Sequence, residues 1–250
     1  MITQDSGYIM QLQNMSVNDG EGIRTNIFLA GCPMTCPWCS NPEGQTLINP
    51  MTKITTVDEV VTFVKKQMLF YRYSGGGVTF SGGEATVQAE FLRSMTNAFY
   101  DRGISLAIET CGAFAFPVVK DILAKMDTIF IDIKHMDPVQ HKKWTGYALN
   151  PILENICSVD TLQSNLVIRV PLIVGVNADE ENLVAILNFL RNNLRKPQIE
   201  FLPYHTYGEE KYRQLGKALP DVNFHTPTEE EQNLAIKLAC AFGVEVVSYR

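Results

Sequence analysis

The chain runs to 250 residues, with 21 Lys and Arg against 27 Asp and Glu and a net charge of −6. That balance argues against binding a phosphate backbone, so no nucleic-acid partner is expected. No apolar run approaches the roughly 20 residues of a membrane helix, so no membrane partner is expected either. A hydrophobic content of 46% is enough for a substantial core, read here as a single domain over residues 1–250. The first ten residues, MITQDSGYIM, have neither a basic start nor an apolar export core. Six cysteines without an export signal imply a reducing, cytoplasmic setting.

In chain order, residues 25–31 (TNIFLAG) read as a strand that runs into a cysteine loop. Apolar spacing predicts a helix over 57–73, with Thr56 as its N-cap and Asp58 and Glu59 in its first turn. A short strand, 77–81, ends in Gly82-Gly83 and leads to a helix over 87–102. Then come a strand at 105–110, a helix at 117–126 opened by Pro117, and a buried strand at 128–134. Short helices at 138–144 and 152–162 precede a strand at 166–174. A helix at 179–194 and a strand at 199–204 follow, then a helix at 228–242 stopped by Gly243 and a last strand at 244–248. Strands that alternate with helices imply a parallel sheet. About six core strands, against the eight of a closed barrel, give an α/β class with an open, partial (β/α)6 barrel. Chemistry is then expected at the carboxyl ends of the strands.

The most informative motif is Cys32-Pro-Met-Thr-Cys36-Pro-Trp-Cys39, a C-x3-C-x2-C run. Its close gaps bring three soft thiolates to one place, suited to an iron–sulfur cluster or zinc. Three cysteines on a four-iron cubane leave one iron open for a ligand, much as catalytic zinc sites keep a position open. A structural zinc site would need a fourth ligand, yet His135, His141, His205 and His225 all lie far downstream without knuckle spacing. Cys111, Cys157 and Cys240 are scattered and read as buried small apolar residues.

Other polar residues gather at the predicted strand ends. Gly82 and Gly83 allow close backbone approach, and Glu84 follows them. Glu109 and Thr110 end the third strand, and Asp132 and Lys134 share one side of the fourth. An ion pair between Asp132 and Lys134 is the plain alternative to a ligand role. Arg169 stands in an apolar strand, either as a carboxylate fork or as a partner of Glu109 or Asp132. His205 follows the sixth strand, and Trp38 is either a cover over the cysteines or ordinary packing.

These segments together resemble the radical S-adenosylmethionine (SAM) superfamily, and within it the glycyl-radical-enzyme activating enzymes of the pyruvate formate-lyase type. The resemblance rests on Asp19-Gly-Glu-Gly-Ile-Arg24, the run from Gly31 to Cys39, Asn41-Pro-Glu43 and Ser74-Gly-Gly-Gly-Val-Thr79 with Ser81-Gly-Gly-Glu84. It extends through Gln88-Ala-Glu-Phe-Leu92, Asp132-Ile-Lys-His-Met-Asp137, Ile168-Arg169 and Leu202-Pro-Tyr-His205.

The resemblance implies a [4Fe–4S] cluster on Cys32, Cys36 and Cys39, with SAM bound at the open iron. Gly82, Gly83 and Glu84 would hold the methionine amino group. Trp38, Asp132, Lys134, Arg169 and His205 would contact SAM or the cluster. Asp19 would meet the target peptide. The implied reaction is reductive cleavage of SAM to a 5′-deoxyadenosyl radical that takes hydrogen from a glycine of a partner glycyl radical enzyme. A flavodoxin- or ferredoxin-type reductant would supply the electron. The family's monovalent-cation site would fall on Glu109, Thr110 and Asp132, although the family carries aspartate where Glu109 stands. No cysteine lies between Cys39 and Cys111, so the ferredoxin-like insert of many dehydratase and decarboxylase activators is absent. Trp38-Cys39-Ser-Asn-Pro-Glu43 nonetheless reads like that second group. The competing readings are a radical SAM enzyme for a small molecule and a non-enzymatic iron–sulfur or zinc sensor.

Overall fold

The computed structural model describes residues 3–219 and 223–249. Met1 and Ile2, the start of the stretch read for an export signal, lie outside them. The chain opens with β1 (Ser6–Ser16), β2 (Arg24–Leu29) and β3 (Lys53–Thr56). Next come α1 (Val57–Lys65), α2 (Met68–Ser74), β4 (Gly77–Gly82), α3 (Ala89–Tyr100) and β5 (Ser105–Thr110). They are followed by α4 (Phe116–Leu123), β6 (Thr128–Asp132), α5 (Pro138–Thr145), α6 (Asn150–Asp160) and β7 (Asn165–Leu172). The chain finishes with α7 (Glu180–Asn193), β8 (Gln198–Pro203), α8 (Glu209–Gln214), α9 (Glu229–Ala241) and β9 (Glu245–Val246).

One nine-stranded sheet has the order β3-β1-β2-β4-β5-β6-β7-β8-β9. From β2 through β9 every pairing is parallel, while β1 pairs antiparallel with both β2 and β3. Its outer strands do not meet, so the barrel stays open as the alternation of strands and helices predicts. The six expected core strands are β2 and β4 to β8. The sequence reading missed β1, β3 and α8. It also joined α1 and α2 into one helix, whereas the structure breaks the run at Lys66 and Gln67. A capping box between Thr56 and Glu59 fixes the start of α1, and a second one, between Thr228 and Glu231, starts α9.

Period-2 alternation divides the parallel strands into two faces. Val78, Phe80, Leu106, Ile108, Ile168 and Val170 join the main core, with Phe80 and Phe99 of α3 6.2 Å apart. The other face is polar: Ser81, Glu109, Arg169 and Glu200 bond to one another across four strands. Ala107, Phe130 and Val167 form a small second cluster there, covered by Val247 and Tyr249. Among the described residues no helix is long and apolar enough to cross a membrane.

Candidate active site

A cavity of about 230 Å³ lies where the parallel strands end. Residues from six of those strand ends meet there: Cys32 beyond β2, Gly82 and Gly83 at β4, and Glu109 and Thr110 on β5. Asp132 and Lys134 come from β6, Ile173 follows β7, and His205 follows β8. Cys36, Cys39 and Trp38 complete the same wall. The residues expected at the strand ends thus line one cavity.

The cysteine loop is held from several sides. Thr35 N–H donates to the carbonyl of Thr145 at 2.9 Å, and Tyr212 Oη donates to Pro37 O at 3.2 Å. Lys211 Nζ on α8 reaches Asn41 Oδ1 and Glu43 Oε1, both at 2.7 Å. Trp38 packs against Trp144 and Phe224, with centroids 6.0 and 6.3 Å away, and also faces the cavity, so it both packs and covers. Burial pushes the Cys36 thiol up to about 12 and the Cys39 thiol up to about 11. Cys32 is lowered, chiefly by a hydrogen bond from the Cys111 side chain. Among the described residues no three His, Cys, Asp or Glu side chains converge as ligands of a single metal ion. Three cysteines on one cavity wall would each be able to bind a different iron of a cluster and leave a fourth iron open.

The glycine wall admits nothing larger. A Cβ at Gly82, where φ is +123°, would sit 2.2 Å from Leu29 O, and one at Gly83 would sit 2.3 Å from Gly44 O. Glu84 is fully buried behind this wall rather than on it. Its Oε1 accepts from Thr86 N–H and Oγ1, and its Oε2 from Thr110 Oγ1 at 2.8 Å and Cys111 N–H at 2.7 Å. Its side chain thus clamps two strand-end turns, while Gly82 and Gly83 face the cavity.

The charged residues divide in the same manner. Asp132 and Lys134 pair with each other, both on the cavity wall. Burial alone would lower Lys134, but the Asp132 carboxylate and the neighbouring Cys36 raise it. Arg169 is buried off the wall; it bridges Glu109 and Glu200 and lies 3.7 Å above the Phe130 ring. Of its two sequence readings, the structure places it in the ion pair with Glu109. Burial pushes the Glu109 carboxyl up to about 7, opposed by Arg169 and reinforced by repulsion from Asp19. Glu109, Thr110 and Asp132 all line the cavity, yet each already has a partner in Arg169, Glu84 or Lys134. His205 stands exposed at the mouth, stacked on Tyr207 at 4.4 Å.

Asp19 lies outside this cavity, in the turn before β2. Ser16 Oγ and Asn26 Nδ2 donate to its carboxylate, and Thr79 Oγ1 donates to its carbonyl at 2.7 Å. The reading of the remaining cysteines needs correction. Cys111 is buried but lines the cavity, Cys157 is half-buried, and Cys240 is exposed. Sequence reasoning named Ser81 only within its motif and missed Glu200; both lie on the polar side of the period-2 alternation, bonded to Glu109 and Arg169.

Comparison with known proteins agrees with this geometry. The profile of the Radical SAM superfamily matches residues 26–187. The 4-hydroxyphenylacetate decarboxylase activating enzyme of Clostridioides difficile (strain 630) is 35% identical, over 86% of this chain and 87% of the relative. Its alignment runs over 277 residues, more than the 250 of this chain, so that relative carries stretches absent here. The pyruvate formate-lyase 2-activating enzyme of Escherichia coli (strain K12) is 34% identical, over 97% of this chain and 92% of the relative. A crystal structure of a domain of pyruvate-formate lyase-activating enzyme from Bacteroides vulgatus ATCC 8482 superposes with a TM-score of 0.59 at 32% identity. It covers 69% of this chain and 98% of that one. The cavity, the cysteine run and these similarities point the same way: the chain belongs to the radical SAM superfamily and, within it, to the glycyl-radical-enzyme activating enzymes.

Proposed function

We propose that this chain, acting as one domain over residues 1–250, activates a partner glycyl radical enzyme by hydrogen abstraction from a glycine of that partner. The observation that carries the reading is the single cavity joining the three cysteines to Gly82, Gly83, Asp132, Lys134 and His205. Cys32, Cys36 and Cys39 hold the [4Fe–4S] cluster, and the rest of the wall takes SAM. Together these cofactors supply one-electron reductive cleavage of SAM and a hydrogen-abstracting 5′-deoxyadenosyl radical. Gly82 and Gly83 bring backbone groups within reach of the methionine amino group. Lys134, kept cationic by Asp132, offers its ammonium to the carboxylate. His205 meets the ribose at the mouth. Met34, Trp38 and Ile173 give the wall its apolar, water-excluding stretches. Glu84 and Arg169 act from behind, holding the strand ends in place.

Glu109 has a cationic partner already in Arg169, so a monovalent cation beside Thr110 and Asp132 would have to compete with that guanidinium. Asp19 orders the turn that receives the partner's glycyl loop. A flavodoxin- or ferredoxin-type protein supplies electrons, in the cytoplasm. The missing insert supports a partner of the pyruvate formate-lyase kind, while the Trp38–Glu43 stretch supports one among the dehydratases and decarboxylases. The test is anaerobic reconstitution and reduction of the full chain, followed by assay of 5′-deoxyadenosine and of a glycyl radical by electron paramagnetic resonance. Candidate glycyl radical enzymes of both groups are supplied in turn. Iron loading without 5′-deoxyadenosine would show a sensor, and 5′-deoxyadenosine without a glycyl radical on any of them would overturn the partner assignment.

A further inference from the structure

Helix α2 turns an apolar face outward. Leu69 is 62%, Phe70 42% and Tyr73 83% exposed, while Tyr71 on the opposite side is buried. Leu69 and Phe70 stand four and three residues before Tyr73, the spacings of helix neighbours. Beside them are Lys65, Lys66 and Arg72, all exposed. Among the described residues none of these three cations has an ion pair. An unpaired basic stretch stands out on a chain of net charge −6. Clustered apolar side chains with a charged rim mark an interaction surface.

The same helix is fastened to the turn that carries Asp19. Ile23 N–H donates to Ser74 Oγ at 2.9 Å, and Tyr71 Oη donates to Thr25 Oγ1. A Cβ on Gly22 would sit 2.4 Å from Gly76 N, so the turn lies directly on the end of α2. Its inner side faces the barrel. Asn18 O accepts from Arg169 Nη2 at 3.4 Å, and Arg169 pairs with Glu109 on the cavity wall. Val17, Gly20 and Gly22 also line a cleft of about 500 Å³, which Val247 and Tyr249 line as well. One short turn therefore connects the exposed face of α2 to the network behind the cavity.

We propose that the exposed face of α2 is the docking surface for the body of the partner glycyl radical enzyme, which meets it with an apolar patch and an acidic rim. The inference rests on the activating-enzyme reading, in which the partner's glycyl loop passes over the Asp19 turn. A protein whose loop follows that turn inward brings its own surface down onto α2. Lys65, Lys66 and Arg72 then steer and orient the acidic rim. A reductant has to approach the cysteines instead, and these lie toward the other end of the sheet. β4 leaves α2 at Gly77 and meets the cavity wall at Gly82, about 17 Å further on at the usual rise of a strand.

The experiment uses the anaerobically reconstituted full chain as parent, L69E/Y73E, R72E and V139E. Val139, 73% exposed on α5, serves as an apolar surface position away from α2. Iron content, SAM affinity and partner-free release of 5′-deoxyadenosine should be equal in all four. Glycyl-radical formation is followed by electron paramagnetic resonance against the concentration of a glycyl radical enzyme that the parent activates. L69E/Y73E should raise the half-saturating partner concentration about tenfold or more, as loss of a central apolar anchor does. R72E should raise it less and weaken its dependence on salt, and V139E should leave it unchanged. Half-saturation of L69E/Y73E within about twofold of the parent overturns the proposal. So does an equal shift in V139E, which would be a charge effect without a site. An R72E curve identical to the parent's at every salt concentration overturns the acidic rim. A shift in half-saturation by a flavodoxin, with that by the partner unchanged, gives the face to the reductant and also overturns the proposal. Should the double variant fail to load iron, Y73E alone carries the test, at a side chain too exposed to hold the fold. A parent that cleaves SAM but forms no glycyl radical on any candidate enzyme overturns the activating-enzyme reading itself, a result distinct from all of these.

Discussion

Arg169 shows how a single side chain can matter to a site it does not touch. It pairs with Glu109 and Glu200 inside the barrel, and both carboxylates lose their cationic partner if it goes. Breaking a buried pair this way costs about 3–5 kcal/mol. We expect Arg169→Met to lower the urea midpoint strongly, whereas Arg169→Lys should keep charge but lose one of two bridges and fall between. Glu109 carries a pH signature. Its folded value of about 7 lies above the ordinary 4.5, so the folded state binds the extra proton between the two. Its contribution is fully present below about 4.5 and is lost as pH rises through about 7. Urea titrations of the cluster-free chain across that window should show this loss, and Glu109→Gln should flatten it. Glu84→Gln tests the clamp: the amide must turn its NH2 toward one of the two oxygen positions, where a hydroxyl and one backbone N–H, of Thr86 or of Cys111, already donate. Poorer folding, rather than a selective loss of SAM affinity, is the expected outcome.

At the scale of elements, α8 is the latch of the cysteine loop. Lys211 meets Glu43, whose Oε2 is buried without a partner, and Tyr212 meets Pro37. Lys211→Met should strip the buried carboxylate of its one cation and loosen the loop. Chelator-driven iron release from the reconstituted protein should then be faster, while Thr228→Ala, at the far capping box, should cost about 1 kcal/mol of stability without changing iron release. The sequence carried no clear sign of α8, because six residues hold too little period to stand out. β1 was missed although Met10-Gln-Leu12-Gln alternates, because it lies second from the sheet's edge, antiparallel to both neighbours, in a chain otherwise marked by βα repetition. The break between α1 and α2 was hidden by an apolar spacing that continues across it. The parallel strands were legible because strands covered on both faces read as apolar runs with punctuation at their ends.

At the scale of the whole molecule, the strand-end rule picked out residues that line one cavity. Cys32, Gly82, Asp132 and His205 come from distant stretches of the chain and meet in one cavity. The rule could not say which polar residues face the cavity and which stand behind it, since Glu84 and Arg169 carry the same sequence signal as their neighbours. Asp19 lies apart, in a turn where a Gly22 Cβ would come within 2.4 Å of Gly76 N. Asp19→Ala should leave iron content, SAM binding and slow uncoupled cleavage intact while sharply reducing the glycyl radical formed on a partner enzyme. If cluster and SAM binding fall together with it, the turn only shapes the barrel.

The parallel pairing also sets a timetable. Thr25 of β2 pairs with Val78 of β4, and each later strand waits for a helix to be laid down before it can join. Such distant pairings fold slowly, and synthesis delivers the N-terminal part first. The cysteines therefore emerge while their opposite wall does not yet exist. Iron delivered then would meet a flexible thiol-rich loop open to oxygen, so durable cluster insertion has to follow sheet assembly. Recovery of iron-loaded protein should respond to the rate of synthesis as well as to the supply of iron.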